Sequence, residues 1–256
     1  MSTDAMLSPM EFYDALAPEY DRMTGFGARV ERETQALAPL VERFGIRSAV
    51  DMGCGTGTQT TALARLGVRT LGVDVSSDML AFARQHVEEE KDLAHRPRFV
   101  LGDFLSPQLT AEAPVDAIFC MGNTMPHVAD FDTLHEVLAL WRRCLRDGGV
   151  VVLQMLNYAR IRTTGNRVIA ARRAGDVTTL RFYDFTAPRW RFNIVTLRGE
   201  AGPLAHELRT TELLPIEEGD IRREAARAGF GLVEVHGSLG GEGLTDSSTD
   251  LVAILR

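Results

Sequence analysis

The sequence lacks the features that mark secreted, membrane-spanning and disulfide-stabilised proteins. Its three cysteines, Cys54, Cys120 and Cys144, are widely spaced and odd in number, which indicates reduced intracellular thiols and neither a disulfide framework nor a zinc site. No apolar run approaches the roughly 20 residues that a membrane helix needs. The first ten residues contain no basic segment followed by an apolar one, so we expect a cytoplasmic protein without a secretory signal.

Positive charge is scarcer than negative charge. The 28 Lys and Arg residues stand against 35 Asp and Glu residues, which leaves a net charge of −7. Because there is also no lysine-rich stripe, we expect no nucleic-acid partner, and we expect no membrane partner either. The sequence has no internal repeat and no low-complexity segment. Its 256 residues, 45% of them apolar, can bury a sizeable core, as one large domain or two small ones.

Apolar periodicity and glycine or proline punctuation predict alternating strands and helices up to residue 157. Five apolar runs fit buried strands, at 48–52, 68–73, 98–101, 115–120 and 150–156. The pattern predicts the α/β class, with a mostly parallel sheet and helices on both faces. Two helices should precede the first strand, at 9–23 and 27–44. We expect Pro18 to interrupt the first of these helices and Pro39 to kink or break the second.

After residue 157 the pattern changes to consecutive strands. Four strand signals follow one another, at 167–172, 177–185, 190–198 and 205–214, before a helix at 217–228 and two further strands at 232–236 and 250–255. This predicts seven strands in the main sheet and an antiparallel β insertion after strand five, which can roof a crevice at the carboxyl edge. We therefore divide the chain into an N-terminal helical lid (1–46), a core (47–157 and 216–256) and a substrate-lid insertion (158–215).

Alternating glycines follow the first predicted strand, at Gly53, Gly55 and Gly57. Glycine permits a tight turn and a close approach of ligand to backbone, and the helix that begins beyond it offers free N–H groups. Asp51, at the end of the strand, would repel a pyrophosphate but suit an ammonium group. Thr58 stands where the nicotinamide-binding motif has its third glycine. The turn therefore fits a ligand with an amine and a carboxylate better than it fits NAD.

Two more acids follow the next two predicted strands. Asp74 closes the second strand, where an acid can accept hydrogen bonds from both hydroxyls of a ribose. Asp103 follows the third strand and could accept from an exocyclic adenine amine. Each acid alone could be a helix cap or a turn residue. Three acids at the ends of three successive strands are poorly explained by chance.

The segments Val50–Gly57, Gly72–Asp74 and Gly102–Phe104 together resemble the class I, Rossmann-like methyltransferases that use S-adenosylmethionine (SAM). The resemblance covers roughly residues 45–157 and 216–256 and implies a seven-stranded Rossmann-like sheet with SAM as cofactor. It implies that the glycine turn passes under the methionine part of SAM, that Asp74 holds the ribose and that Asp103 holds the adenine amine. Further cofactor contacts are expected from Asp51, Cys54, Val75, Met79, Phe104, Met121 and Gly122. Met79 could equally be a core residue of its helix.

An N-terminal segment with Tyr13, Tyr20 and Arg22 resembles the lid found before many such cores. There a tyrosine covers the cofactor and an arginine can reach its carboxylate, so these three residues are also expected at the cofactor. Helix packing is the alternative for both tyrosines. A homodimer could form through this lid or through the insertion.

The loop 121–128 and the segment 154–161 look more specifically like the glycine N-methyltransferase group. Asn123, His127, Asn157 and Tyr158 match the pattern of that group. One position departs from it, because Leu156 stands where the glycine enzymes have the arginine that clamps the substrate carboxylate. Glycine is therefore expected as substrate only if another arginine, such as Arg160, Arg162 or Arg181, takes that role.

The leading hypothesis is methyl transfer from SAM to a small-molecule acceptor, at an amine nitrogen. Asn123, Tyr158 or Tyr183 would hold the amine and His127 would take its proton, although a lone loop histidine can also be purely structural. No metal is expected in the site. Two alternatives remain at this point: O- or C-methylation of a secondary metabolite or quinone, and a SAM-binding regulatory module without catalysis.

Overall fold

The computed structural model describes residues 6–199 and 205–256. The helices are α1 (Pro9–Thr24), α2 (Phe26–Phe44), α3 (Thr58–Arg65), α4 (Ser77–Glu89), α5 (Pro107–Glu112), α6 (Phe131–Cys144), α7 (Tyr158–Thr164) and α8 (Glu218–Arg227). The strands are β1 (Ser48–Met52), β2 (Arg69–Asp74), β3 (Arg98–Leu101), β4 (Val115–Cys120), β5 (Leu145–Leu156), β6 (Val168–Ala174), β7 (Val177–Asp184), β8 (Trp190–Arg198), β9 (Ala205–Leu213), β10 (Val233–His236) and β11 (Asp250–Leu255).

Seven strands form the main sheet in the order β10-β11-β5-β4-β1-β2-β3. Strands β1 to β5 pair in parallel, whereas β11 runs antiparallel to both β5 and β10. Helices α6 and α8 pack on one face of the sheet, and α2 and α3 pack on the other. The predicted α/β fold, with a seven-stranded, mostly parallel sheet and helices on both faces, is confirmed.

The second sheet is an antiparallel meander in the order β6-β7-β8-β9. It follows β5 in the chain, as the sequence pattern predicts. Helix α1 lies between this meander and the core, because its buried Phe12, Leu16 and Ala17 pack with Ile194 of β8 and Met79 of α4. This arrangement places the meander and α1 beside the carboxyl ends of the parallel strands.

The expected interruption at Pro18 was wrong, and so was the expected break at Pro39. Helix α1 runs through Pro18 and α2 runs through Pro39. An interior proline costs about 3 kcal/mol, but each fully buried Leu or Phe side chain contributes about 1.5–3 kcal/mol. Leu16 of α1 and Leu37 of α2 are among the buried residues that hold the two helices in place.

The sequence pattern did not predict two short helices, and one strand begins earlier than expected. Helices α5 and α7 have six and seven residues, too short for a clear helical period. Strand β5 begins at Leu145, before the predicted start at residue 150, and includes Gly148 and Gly149. Backbone oxygens of Arg146 and Asp116 lie 3.0 Å from the position of a Gly149 Cβ, so close strand packing explains the glycine.

Across residues 6–199 and 205–256, none of the helices combines the length and the apolar character needed to cross a membrane.

Candidate cofactor and acceptor sites

A cavity of about 200 Å³ opens at the carboxyl ends of β1 to β4. Twelve of the predicted cofactor residues line it: Tyr13, Tyr20, Gly53, Cys54, Gly55, Asp74, Val75, Met79, Asp103, Phe104, Met121 and Gly122. Met79 is also buried in the core. The ends of β1 to β4 therefore deliver most of the predicted side chains to one crevice.

The glycine turn depends on the absence of side chains. Gly53 and Gly55 have φ angles of +73° and +55°, which only glycine adopts without strain. A Cβ on Gly53 would overlap the side-chain methyl group of Thr124, whereas a Cβ on Gly55 would meet no atom within 4 Å. The space above Gly55 is therefore open, and a ligand can approach the backbone there.

Asp74 joins the glycine turn to the start of α4. One of its carboxylate oxygens accepts a hydrogen bond from the Gly55 N–H at 2.8 Å, and the other accepts from the Ser76 N–H at 2.9 Å. Burial raises the pKa of Asp74, against the lowering effect of these backbone bonds. Each oxygen has a second lone pair, so the carboxylate can still accept from a ligand hydroxyl in the cavity.

Asp103 lies at the exposed end of the same cavity. Its Oδ1 accepts from the Leu105 N–H at 2.9 Å and from the Ser106 hydroxyl at 3.3 Å. Within the described ranges its Oδ2 accepts no hydrogen bond. That oxygen can therefore accept a ligand N–H while Oδ1 keeps the loop in place.

Two predicted cofactor residues do not reach the cavity. The Arg22 side chain is 52% exposed and lies 3.9 Å from Glu19. Asp51 is buried beneath the turn, where Thr60 donates to it at 2.6 Å, and burial raises its pKa to about 7. An acid at the end of a strand can therefore stabilise the fold beneath the turn, as well as contact a ligand above it.

Arg29, which sequence reasoning missed, is the arginine of the N-terminal region that lines the cavity. The chain reverses at Gly25, whose φ of 75° ends α1 and begins α2, and this brings Arg29 back toward the site. Other lining residues that were missed are Pro9, Thr56, Thr58, Gln59, Val73, Gly102 and Thr124. The lid motif pointed only to α1, so nothing in the sequence separated Arg29 from an ordinary surface arginine of a helix.

Helix α1 is held over the cofactor cavity by polar contacts at both of its ends. Near its start, the Tyr13 hydroxyl lies 3.1 Å from His127 Nε2, and Asp14 accepts from the Ser76 hydroxyl at 2.6 Å. At its last turn, Asp21 accepts from the Thr56 hydroxyl at 2.7 Å and lies 3.1 Å from His86 Nε2. The helix is thus fastened to the glycine turn, to α4 and to the loop after β4.

The contact between His86 and Asp21 makes a pH dependence of stability testable. Burial lowers the pKa of His86, but its hydrogen bonds to Asp21 and Thr56 outweigh burial and raise it above 6.5. The resulting stabilisation is complete below the unfolded pKa of about 6.5 and is lost as pH rises through the raised folded value. We expect His86→Gln to lower the free energy of unfolding more at pH 6 than at pH 8.5, as measured by urea denaturation.

The matched control for this prediction is His95→Gln, which replaces an exposed histidine outside this contact. Its cost should be small at both pH values. An equal cost of His86→Gln at both pH values would contradict the prediction.

His127, the predicted acceptor base, belongs to the lining of the cofactor cavity. Its Nε2 is directed at the Tyr13 hydroxyl, and its buried Nδ1 has no hydrogen-bond partner in the described parts of the chain. Burial, together with the charge of Arg189, lowers the pKa of His127 to about 3. The imidazole is therefore neutral and a weak base, and the geometry favours a role in holding the lid over proton abstraction.

A second cavity, of about 290 Å³, adjoins the first. Tyr13, Tyr20, Arg29 and Gly122 line both cavities, so the two meet at these residues. The second cavity is bounded by the loop after β4, by α1 and α2, and by the inner face of the β6–β9 meander. Its position beyond the predicted methionine end of the cofactor fits an acceptor site.

Asn123 organises the inner end of the second cavity. Its Oδ1 accepts from the Leu156 N–H at 3.1 Å and the Tyr158 hydroxyl at 3.2 Å, and its Nδ2 donates to the Tyr183 hydroxyl at 3.4 Å. Tyr158 and Tyr183 are both fully buried, but of these three residues only Asn123 and Tyr183 line the cavity. Of the predicted catalytic residues, Asn123 and Tyr183 therefore face the acceptor space, and Tyr158 supports them.

Asn157, which matches the glycine N-methyltransferase pattern, has a structural position. It is the N-cap of α7, where its side chain accepts from the Arg160 N–H at 3.1 Å. Its amide also donates to the Ser248 carbonyl at 3.1 Å. These bonds join the segment after β5 to the loop before β11.

Comparisons with known proteins agree with this geometry. Residues 49–149 match a family model described as a methyltransferase domain. A glycine/sarcosine N-methyltransferase from Parasynechococcus marenigrum is 28% identical over 158 residues, which are 62% of this chain and 55% of that protein. The human glycine N-methyltransferase is 32% identical over 143 residues, which are 50% of this chain and 47% of that protein. The chain thus spans about half the length of the curated relatives it matches.

A solved structure extends the likeness of fold to nearly the whole chain. A SAM-dependent methyltransferase from Clostridium acetobutylicum superposes with a TM-score of 0.78 at 16% identity, covering 95% of this chain and 98% of that one. Residues 49–149 therefore form a methyltransferase domain, and nearly the whole chain has a fold similar to that of a SAM-dependent methyltransferase. The sequence is also similar to the glycine N-methyltransferase group.

Proposed function

We propose that this protein transfers a methyl group from SAM to the amine nitrogen of a small molecule. The proposal rests on one observation: the cofactor cavity and the second cavity share the lining residues Tyr13 and Gly122. One cavity presents the acids and glycines suited to SAM, and the other presents the polar group of Asn123 and Tyr183. An acceptor held in the second cavity faces the end of the first.

The residues of the first cavity fit SAM part by part. Asp74 would accept from the ribose hydroxyls and the Oδ2 of Asp103 from the adenine amine, while the open backbone at Gly55 would accommodate the methionine part. Arg29, in place of the predicted Arg22, would pair with the cofactor carboxylate. Bound SAM supplies a methyl group already activated by its positive sulfur, so the protein's task is alignment and exclusion of water.

Neutral amines are the acceptors that this cavity favours. The described residues that line it include no carboxylate to pair with an ammonium group, and the positive sulfur of bound SAM disfavours the ammonium form of an amine held beside it. A neutral amine has the free lone pair that methyl transfer requires. Burial raises the pKa of Tyr183 to about 12, so its phenol stays protonated and its oxygen can accept an N–H of the acceptor. This mechanism needs no strong base, in keeping with the neutral state of His127.

The similarity to glycine and glycine/sarcosine N-methyltransferases supports nitrogen as the methylated atom. Leu156 lines the acceptor cavity at the position where those enzymes have an arginine. Glycine itself is therefore not the acceptor that we propose. O- or C-methylation and a catalytically inactive SAM-binding module are the alternatives that the following experiment decides between.

The test is a turnover screen with purified protein, SAM and a panel of amines, amino acids, phenols and quinones, read by mass spectrometry of S-adenosylhomocysteine and of the methylated product. We expect methylation of amines only. The value of kcat/KM should rise with pH, because a larger fraction of the unbound amine is then deprotonated. Methylation of phenols or quinones alone would replace the proposal by the O- or C-methyl alternative. SAM binding without turnover of any acceptor would favour the regulatory module.

Tyr183→Phe tests the contact of the phenol with the acceptor. The variant loses one hydrogen bond to the amine, so we expect kcat/KM for the acceptor to fall about tenfold. The dissociation constant of SAM, measured by calorimetry, should stay unchanged, because Tyr183 does not line the cofactor cavity. An unchanged kcat/KM would remove Tyr183 from the acceptor site.

Three further expectations from the sequence stay predictions: a cytoplasmic location, a homodimer, and the absence of nucleic-acid partners. The division into lid, core and insertion is also kept as a proposal, with the helical lid at 1–46 and the insertion at 158–215 acting together over the site.

A further inference from the structure

Four arginines line the acceptor cavity: Arg29 and Arg32 from α2, Arg172 from β6 and Arg181 from β7. The residues that line this cavity include no carboxylate. In the part of the chain that the structure describes, none of the four arginines forms an ion pair with an acid. The only side-chain hydrogen bond found there joins Arg172 to the Met23 carbonyl, at 3.3 Å.

Of the four arginines, Arg181 shows most clearly that its positive charge lacks a compensating anion. Burial lowers the pKa of Arg181, and the nearby charges of Arg172 and Arg29 lower it further, whereas Tyr20 and Tyr183 raise it. Glu33 on α2 interacts with Arg29 and Arg32, but it lies outside the cavity lining. Partly buried like charges cost free energy unless an anion compensates them.

The strand geometry gives these charges a fixed place relative to the reacting end of the cavity. Arg181 and Tyr183 are two residues apart on β7, so they share one face of the sheet, about 7 Å apart along the strand. Arg172 pairs with Thr179, which is again two residues from Arg181, so Arg172 lies on the same face. The exposed Arg172 and half-buried Arg181 form the outer end of the cavity, and Tyr183 with Asn123 forms the inner end.

Many of the other side chains that line this cavity are apolar. These are Leu16, Met23, Leu156, Ile169, Phe192 and Ile194. The cavity thus combines the uncharged polar pair Asn123 and Tyr183, an apolar lining and the cationic pair Arg172 and Arg181.

We propose that the acceptor carries an oxyanion, a carboxylate or a phosphoryl group, at the end opposite its amine, and that Arg172 and Arg181 bind this group. The inference rests on the proposed function and adds the substrate's second binding group. Guanidinium groups bind both kinds of oxyanion through paired N–H donors. Arg29 lines both cavities and is left to the cofactor carboxylate. The residues that recognise the charged group of the acceptor thus lie on the β6–β9 meander, and position 156, occupied by Leu156, does not take part.

Calorimetry on the protein saturated with S-adenosylhomocysteine tests this directly, with acetate, inorganic phosphate and inorganic pyrophosphate as probes. We expect at least one probe to bind to the wild type. Preference for acetate would identify a carboxylate, and preference for phosphate or pyrophosphate a phosphoryl group. Arg181→Met should weaken that binding at least tenfold, and Arg181→Lys should weaken it less.

The matched control is Arg173→Met, because Arg173 is adjacent to Arg172 on β6 and points to the opposite face. Its probe binding should equal that of the wild type, and circular dichroism should show that all variants are folded. Two results would overturn the inference: no probe binds, or Arg181→Met weakens SAM binding as much as probe binding. Because no methyl transfer is measured, failure of the amine screen would count against the proposed function and leave this result standing.

Discussion

Replacing Gly53 with alanine should abolish SAM binding in calorimetry and lower the free energy of unfolding by about 2–5 kcal/mol. Two costs add up. A non-glycine residue at a φ of +73° costs about 1–2 kcal/mol, and forcing a methyl group into a packed site costs about 1–3 kcal/mol. The clash is with the Thr124 side chain, whose Cβ and Oγ1 would both lie 3.1 Å from the new methyl group.

The two costs can be separated with two further variants. Gly67→Ala introduces the same methyl group at a φ of +79° with no atom within 4 Å, so it should show the backbone cost alone. Thr124→Ser removes the clashing methyl group and keeps the hydroxyl that donates to the Met121 carbonyl at 2.7 Å. The double variant Gly53→Ala, Thr124→Ser should therefore regain part of the stability. A Gly53→Ala variant that is no less stable than Gly67→Ala would show that the clash does not exist in solution.

The second large effect is expected at Asp74. Asp74→Ala should weaken SAM binding about 100-fold, because a charged hydrogen-bond acceptor is worth about 1.5–3 kcal/mol for each bond to the ribose and the turn loses its anchor at Gly55. Asp74→Asn keeps the shape with fewer acceptor sites, so its affinity should lie between those of the wild type and Asp74→Ala. Calorimetric titration with SAM measures all three.

A pH series sharpens this prediction. Burial raises the pKa of Asp74, and the ionised form is the better acceptor, so SAM affinity of the wild type should fall as pH drops through that raised value. Asp74→Asn has no proton to gain at this position and should show a smaller fall. Asp78→Asn, at an exposed acid in the first turn of α4, is the control and should bind SAM like the wild type. Unchanged affinity in Asp74→Ala would remove Asp74 from the cofactor site.

The cofactor cavity could be predicted from sequence in most of its parts, because local rules place its residues. A parallel strand that ends in an acid delivers that acid to the carboxyl edge, so Asp74 and Asp103 follow from the strand pattern alone. Asp51 obeys the same rule and yet lies below the turn, since the hydrogen bond from Thr60 draws it toward α3. The rule specifies which edge of the sheet a side chain reaches, but not which side of the loop it faces.

The acceptor cavity was predictable only in its inner part. Asn123 and Tyr183 were expected from the family-like motifs and from the insertion, and both line the cavity. Arg29 and Arg172 gave no signal, because arginines on a helix or at the end of an exposed strand are common on any surface. Their importance depends on the reversal at Gly25 and on the pairing of β6 with β7, which bring distant segments to one wall.

The sequence by itself determined the α/β class, the seven strands of the main sheet, the antiparallel meander and the acids at the cofactor site. These follow from periodicity and from residue types at strand ends, which depend on short stretches of chain. Only the tertiary structure decided that the helices pass through Pro18 and Pro39, that His127 faces the lid tyrosine, and that four arginines share the acceptor cavity. Packing between elements far apart in sequence controls each of these, and no local pattern encodes it.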